Sequence, residues 1–139
     1  MRPATLSEAM ARVVAGVPIE IAVAEVLDSF GLAVDDVARS RVLADEPATT
    51  GDPRLDALAG GLAEYLSKQW SLAVPPWASR PGRYLAEPWF PGAEDNPSVR
   101  EYLAFASPGE FKSRNIFCEA RPFRRARLRP PKRREREDV

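Results

Sequence analysis

Few side chains in these 139 residues could carry out chemistry. The chain has no histidine and one cysteine, Cys118. The commonest general base and metal ligand is therefore missing, and with it the usual serine and cysteine triads. One thiol without imidazole supplies no zinc ligand set and no internal disulfide framework. Carboxylates remain. Asp35-Asp36 and Asp45-Glu46 are adjacent pairs of the kind that holds magnesium, but both stand beside helix ends or in a connector, where acids ordinarily cap and turn the chain. Neither a GxxxxGK[ST] phosphate loop nor a GxGxxG turn is present. No catalytic residue, metal or cofactor is expected, and the chain reads as a non-enzyme.

Binding chemistry is better represented. Residues 70–92, "WSLAVPPWASRPGRYLAEPWFPG", hold three Trp and five Pro. Pro75-Pro76 and Pro88 forbid a continuous helix there. The aromatic groups either fold back as the lid of a small core or stand out as anchors for a partner, because Trp, Tyr and Arg dominate binding hot spots. A sugar- or base-stacking surface is a weaker third option. On the anchor reading Trp77, Arg83, Trp89 and Phe90 would touch the partner. Residues 107–117, "SPGEFKSRNIF", add Lys112 and Arg114, which are either a solvated face or a contact for an acidic partner.

Zero net charge conceals an asymmetry: residues 1–64 carry a net −6, residues 65–118 a net +1 and residues 119–139 a net +5. Such polarity hints at a charged partner. Glu20, Glu25 and Asp28 supply an acidic surface at the front. Arg124, Arg125, Arg127 and Arg129 begin a tail with one large apolar residue, Leu128, before Val139. Such a tail buries too little to fold alone, so disorder is expected there. Its arginines suit DNA, RNA or an acidic protein.

The elements that position these groups read as helices. Thr5 and Glu8 form a capping box ahead of Leu6, Met10, Val13 and Val14, with Gly16 as the stop. Pro18 opens a second helix with the stripe Ile19, Val23, Val26, Leu27 and Phe30, ended by Gly31. Asp35 or Asp36 caps a third through Val42 and Leu43. Three short helices raise a helix-turn-helix reading, but the acids of the second would repel phosphates. Asp52-Pro53 opens the clearest helix, carrying Leu55, Leu58, Leu62, Tyr65 and Leu66. Gly60-Gly61 inside it costs about 1 kcal/mol per residue against alanine, which suggests close approach of another backbone or simple drift at an exposed site. A short turn over Arg80 to Leu85 is expected, capped by Ser79. Asn96-Pro97 starts a helix whose apolar face is Val99, Tyr102, Leu103 and Ala106. Ser107 to Glu110 is a second capping box, Phe111 its buried anchor, Asn115 a left-handed cap, and 116–118 an extended piece. The expectation is an all-α single domain, with a short-helix unit at 1–45, a helical core with the aromatic segment at 46–123, and a basic tail at 124–139.

The order of three blocks resembles a family of small actinobacterial proteins. They are the Leu-Asp-Ala-Leu helix at Leu55 to Leu58, the aromatic pattern of Pro76, Trp77, Leu85, Pro88, Trp89 and Phe90, and the block of Ser107, Pro108, Phe111, Arg114, Ile116 and Phe117. The likeness covers most of residues 5–117 and leaves the tail outside. It implies the antitoxin or regulatory half of a toxin–antitoxin module, beside a nucleotidyltransferase-like toxin of the abortive-infection type. Some members of that family carry an added DNA-binding helix-turn-helix, of which this chain has no convincing counterpart.

The sequence thus points to a protein that binds and neutralises a cognate toxin, with autoregulation possible in principle. The alternative is a nucleic-acid-associated regulator acting through the arginine-rich tail. A cytoplasmic location is expected from the lone cysteine. No apolar run approaches the roughly 18 residues of a membrane span, and the first residues lack the apolar core of a signal peptide.

Overall fold

The computed structural model describes residues 2–123. Six α-helices follow in order: α1 Leu6–Val14, α2 Ile19–Gly31, α3 Asp36–Ala44, α4 Pro53–Gln69, α5 Pro97–Ala106 and α6 Gly109–Lys112. Short 3-10 turns lie at Pro76–Ser79, Pro81–Arg83 and Arg121–Phe123. The fold is all-α, with no strand among the described residues; a single parallel bridge joins Trp89 to Ile116. The expected extended piece after Asn115 is one side of that bridge. The arginines of the tail, Arg124 onward, lie outside the described residues.

Local chemistry sets the helix starts. Thr5 accepts from the Glu8 backbone N–H at 3.1 Å, and the Glu8 carboxylate reaches back to the Ala4 N–H. Asp35, Asp52 and Asn96 cap α3, α4 and α5 in the same way. Each such cap contributes about 0.5–2 kcal/mol. Asp36 pairs with Arg39 and Glu46 with Arg80 and Arg83, so these acids have structural partners. No acidic or cysteine cluster among the described residues could hold a metal ion.

Helix α4 is the axis of the molecule. Ten of its seventeen residues are buried, which a helix on a surface cannot achieve and which demands neighbours on several sides. Helices α1, α2 and α3 touch one another, and one hydrophobic core continues from them through α4 to Trp77, Phe111, Ile116 and Phe123. The 3-10 turns and α6 cover the other flank of α4. Small residues make that approach possible. A Cβ on Gly61 would lie 2.6 Å from Phe111 Cδ1, and one on Gly60 would lie 2.9 Å from Arg83 Cβ and 3.3 Å from the Ala78 carbonyl. The glycine pair marks close approach, chiefly of side chains rather than of a second backbone.

Several local expectations change. Residues 76–83 form two 3-10 turns instead of one helical turn over 80–85, and Ser79 ends the first of them rather than capping the second, because the prolines at 76 and 81 each restart the chain. Gly31 is the last residue of α2 rather than its stop. Ser107 does not cap α6: its Oγ donates to the Leu103 carbonyl at 2.6 Å and closes α5 instead. The expected apolar face of α5 is buried only at Leu103, while Val99, Tyr102 and Ala106 stay exposed. Asn115 does take the left-handed conformation, with φ 65°.

Candidate binding groove and the two buried arginines

Three of the expected partner contacts are turned inward. Arg114 is fully buried at 0% exposure, the largest such side chain among the described residues. Helix α6 ends two residues before it, at Lys112, and the side chain packs against Gly60 of α4, where a Cβ would lie 3.2 Å from its Nε. Its Nη1 donates to Glu64 Oε1 at 2.6 Å and to the Glu110 carbonyl at 2.7 Å. Its Nη2 donates to the Ala78 carbonyl at 2.6 Å, and the Tyr84 ring covers it at 4.6 Å. Arg83, also buried, donates to the carbonyls of Asp56 and Pro47 and to Glu46, above the Trp77 ring. Trp77 is buried as well, its indole N–H donating to the Leu43 carbonyl at 2.9 Å. These three tie the connector and the Pro-rich segment to α3 and α4. All three are buried and donate to groups inside the fold, with Arg114 Nε left buried and unpaired, so the expectation that Trp77, Arg83 and Arg114 meet a partner is corrected.

Burial by itself would raise the Glu64 pKa. The hydrogen bonds from Lys68 and Arg114 outweigh it and hold the carboxyl below its ordinary value.

Two of the remaining candidates, Glu20 and Trp89, line an open groove of about 670 Å³. Val23 and Leu27 of α2, Leu58 of α4, and Val99 and Leu103 of α5 line it. Trp89 and Ile116 close the inner end, held by the Trp89 N–H to Asn115 carbonyl bond at 2.8 Å and the Phe117 N–H to Trp89 carbonyl bond at 2.9 Å. A further side is Cys118, Glu119, Pro122 and Phe123. Phe123 stacks on Phe111 at 4.8 Å, which fixes the position of that wall. The charged side chains of the lining are Glu20 and Glu119, both exposed and both acidic. Burial pushes the Cys118 thiol up to about 12, so it sits protonated at neutral pH as part of an apolar surface.

Of the sequence candidates, the structure brings Trp89 and Glu20 together in this groove. Phe90 lies beside it, half-buried, stacked on Phe117 at 4.7 Å and faced by Arg100. Lys112 is half-buried and its ammonium donates to the Phe105 carbonyl, pinning α6 to the end of α5. Glu25 and Asp28 are half-buried on α2 outside the groove lining. The acidic surface is therefore not one continuous exposed face.

Sequence reasoning did not foresee the groove or the outward face of α5. Val99 is 39%, Tyr102 56% and Phe105 81% exposed. One signal was available: Phe105 falls outside the stripe of 99, 102, 103 and 106, so this helix carries apolar groups around more of its girth than one buried face needs. No helix among the described residues is long and apolar enough to cross a membrane. No known family model, curated protein or solved structure matches this chain.

Proposed function

We propose that this chain is a non-catalytic, antitoxin-type protein that binds and neutralises a cognate protein toxin, and that the outward face of α5 is the contact. The observation that carries this reading is the exposure of Tyr102 and Phe105 on a helix with one buried residue. Large aromatic groups left in water on one helix face are a typical protein-contact feature. Glu20 and Glu119 across the groove add negative charge next to that face, which suits the basic substrate channel of a nucleotidyltransferase-like toxin and would speed association with it. The resemblance of the three sequence blocks supports the same reading.

Co-expression with the product of the adjacent gene tests it, with growth and co-purification read together. A toxic neighbour rescued by this chain, in a stable complex that Phe105→Asp weakens at least ten-fold, is expected. A harmless neighbour and no complex would overturn it, and nucleic-acid binding through the tail would take its place.

A further inference from the structure

We infer that the groove between α2 and α5 is the docking site for the chain's own residues 124–129, Arg-Arg-Ala-Arg-Leu-Arg, with Leu128 as the apolar anchor. The inference goes beyond the toxin reading and does not depend on it.

Three observations carry it. The first is where the described chain ends: Pro122 and Phe123 are themselves a wall of the groove. An extended chain spans about 3.3 Å per residue, so five residues reach at most about 17 Å, enough to bring Leu128 back over the opening it borders. The second is charge. The charged side chains of the lining are Glu20 and Glu119, with the Arg54 guanidinium already seated over the Trp89 ring at 5.4 Å, while residues 124–129 hold four arginines and no acid. Potentials of opposite sign on the two sides fix register as well as attraction. The third is apolar content. The lining is otherwise dominated by side chains such as Val23, Leu58 and Trp89, its volume of about 670 Å³ is that of a ligand site, and Leu128 is the one large apolar residue between Phe123 and Val139. Exposed ion pairs add little by themselves, so Leu128 is the discriminating position.

Tethering lowers the affinity such an occupant requires. A short covalent link sets an effective concentration of about 1 mM. A segment that binds as a separate peptide with a Kd of about 100 μM would then fill the groove in about nine molecules of ten and weaken any competing copy about ten-fold.

The test uses the full chain. A fluorescein-labelled peptide of residues 124–139 is titrated, by anisotropy in 50 mM salt, against the wild type and against Leu128→Asp. The variant, its own tail released, should bind the peptide at least ten-fold more tightly than the wild type. Adding Glu20→Lys and Glu119→Lys to that variant should abolish the gain, with helicity by circular dichroism confirming that the protein is folded. Should the charge variant fail to fold, Val23→Asp in the Leu128→Asp chain replaces it. Equal affinity of wild type and Leu128→Asp, no binding by either, or a gain that survives both groove variants would each overturn the inference.

Discussion

Two regions of this protein use the same kinds of side chain for opposite ends. On one flank of α4, Arg83, Arg114, Trp77 and Tyr84 converge on a notch cut by Gly60 and Gly61. Across the groove, α5 presents Val99, Tyr102 and Phe105 to water. The first flank is closed because each guanidinium is buried and meets carbonyls and a carboxylate at hydrogen-bond distance; even the unpaired Arg114 Nε lies out of a partner's reach. The second is open because α5 buries only Leu103, with Lys112 of α6 tied to its C-terminal end at the Phe105 carbonyl. An arginine is available for recognition only while its donors are unspent, and an aromatic group only while no core has reached it.

The contrast breaks most sharply at Arg114. Arg114→Met should cost about 3–5 kcal/mol in urea unfolding, because it strands the buried Ala78 carbonyl and removes the buried one of Glu64's two cationic partners, leaving only Lys68. A loss under 1 kcal/mol would mean that the notch does not hold the flank together. Gly61→Ala comes next, at about 1–3 kcal/mol, since its methyl would meet the Phe111 ring and the ring is fully buried; the helix preference for alanine offsets part of this. An unchanged or higher melting temperature would show that the ring can yield.

Acid should loosen the same flank to a smaller extent. Glu64 titrates lower in the fold than its ordinary 4.5, so its contribution is fully present above about pH 4.5 and is lost as pH falls through the lower folded value. Glu64→Gln should therefore flatten the stability profile below pH 4.5; a profile as steep as the wild type's would exclude this residue as its source. The smallest effect belongs to the open side. Phe105→Asp should change stability by no more than about 0.5 kcal/mol, measured by urea unfolding; a loss above 2 kcal/mol would place Phe105 in the core and remove the contrast.

Much of the helical architecture was legible because it is local. Asp35, Asp52 and Asn96 each cap the helix that their position next to an apolar period announces, and Asn115 adopts the left-handed turn its type favours. What could not be read was the outcome of long-range competition. Arg114 in "SPGEFKSRNIF" looks like a surface cation until Glu64, fifty residues away, is known to face it. Ser107 has two acceptable uses, and the carbonyl of Leu103 wins over the amide of α6. The groove has no signature of its own, because its walls come from α2, α4, α5 and residues 116–123, each of which reads as an ordinary apolar stripe.

The glycine notch on α4 also sets an order of events during synthesis. Its occupants, Phe111 and the Arg114 guanidinium, are made about fifty residues after Glu64 and Gly61, which at about 5–20 residues per second is a delay of about 3–10 s. For most of that interval α1 to α4 are complete and residues 76–83 are available to cover part of the flank, yet Gly61 lacks the Phe111 ring and the Glu64 carboxylate lacks its arginine. The nascent chain thus passes through a stage in which its most buried helix is only partly covered, and the eleven residues from Ser107 to Phe117 are the ones that end it.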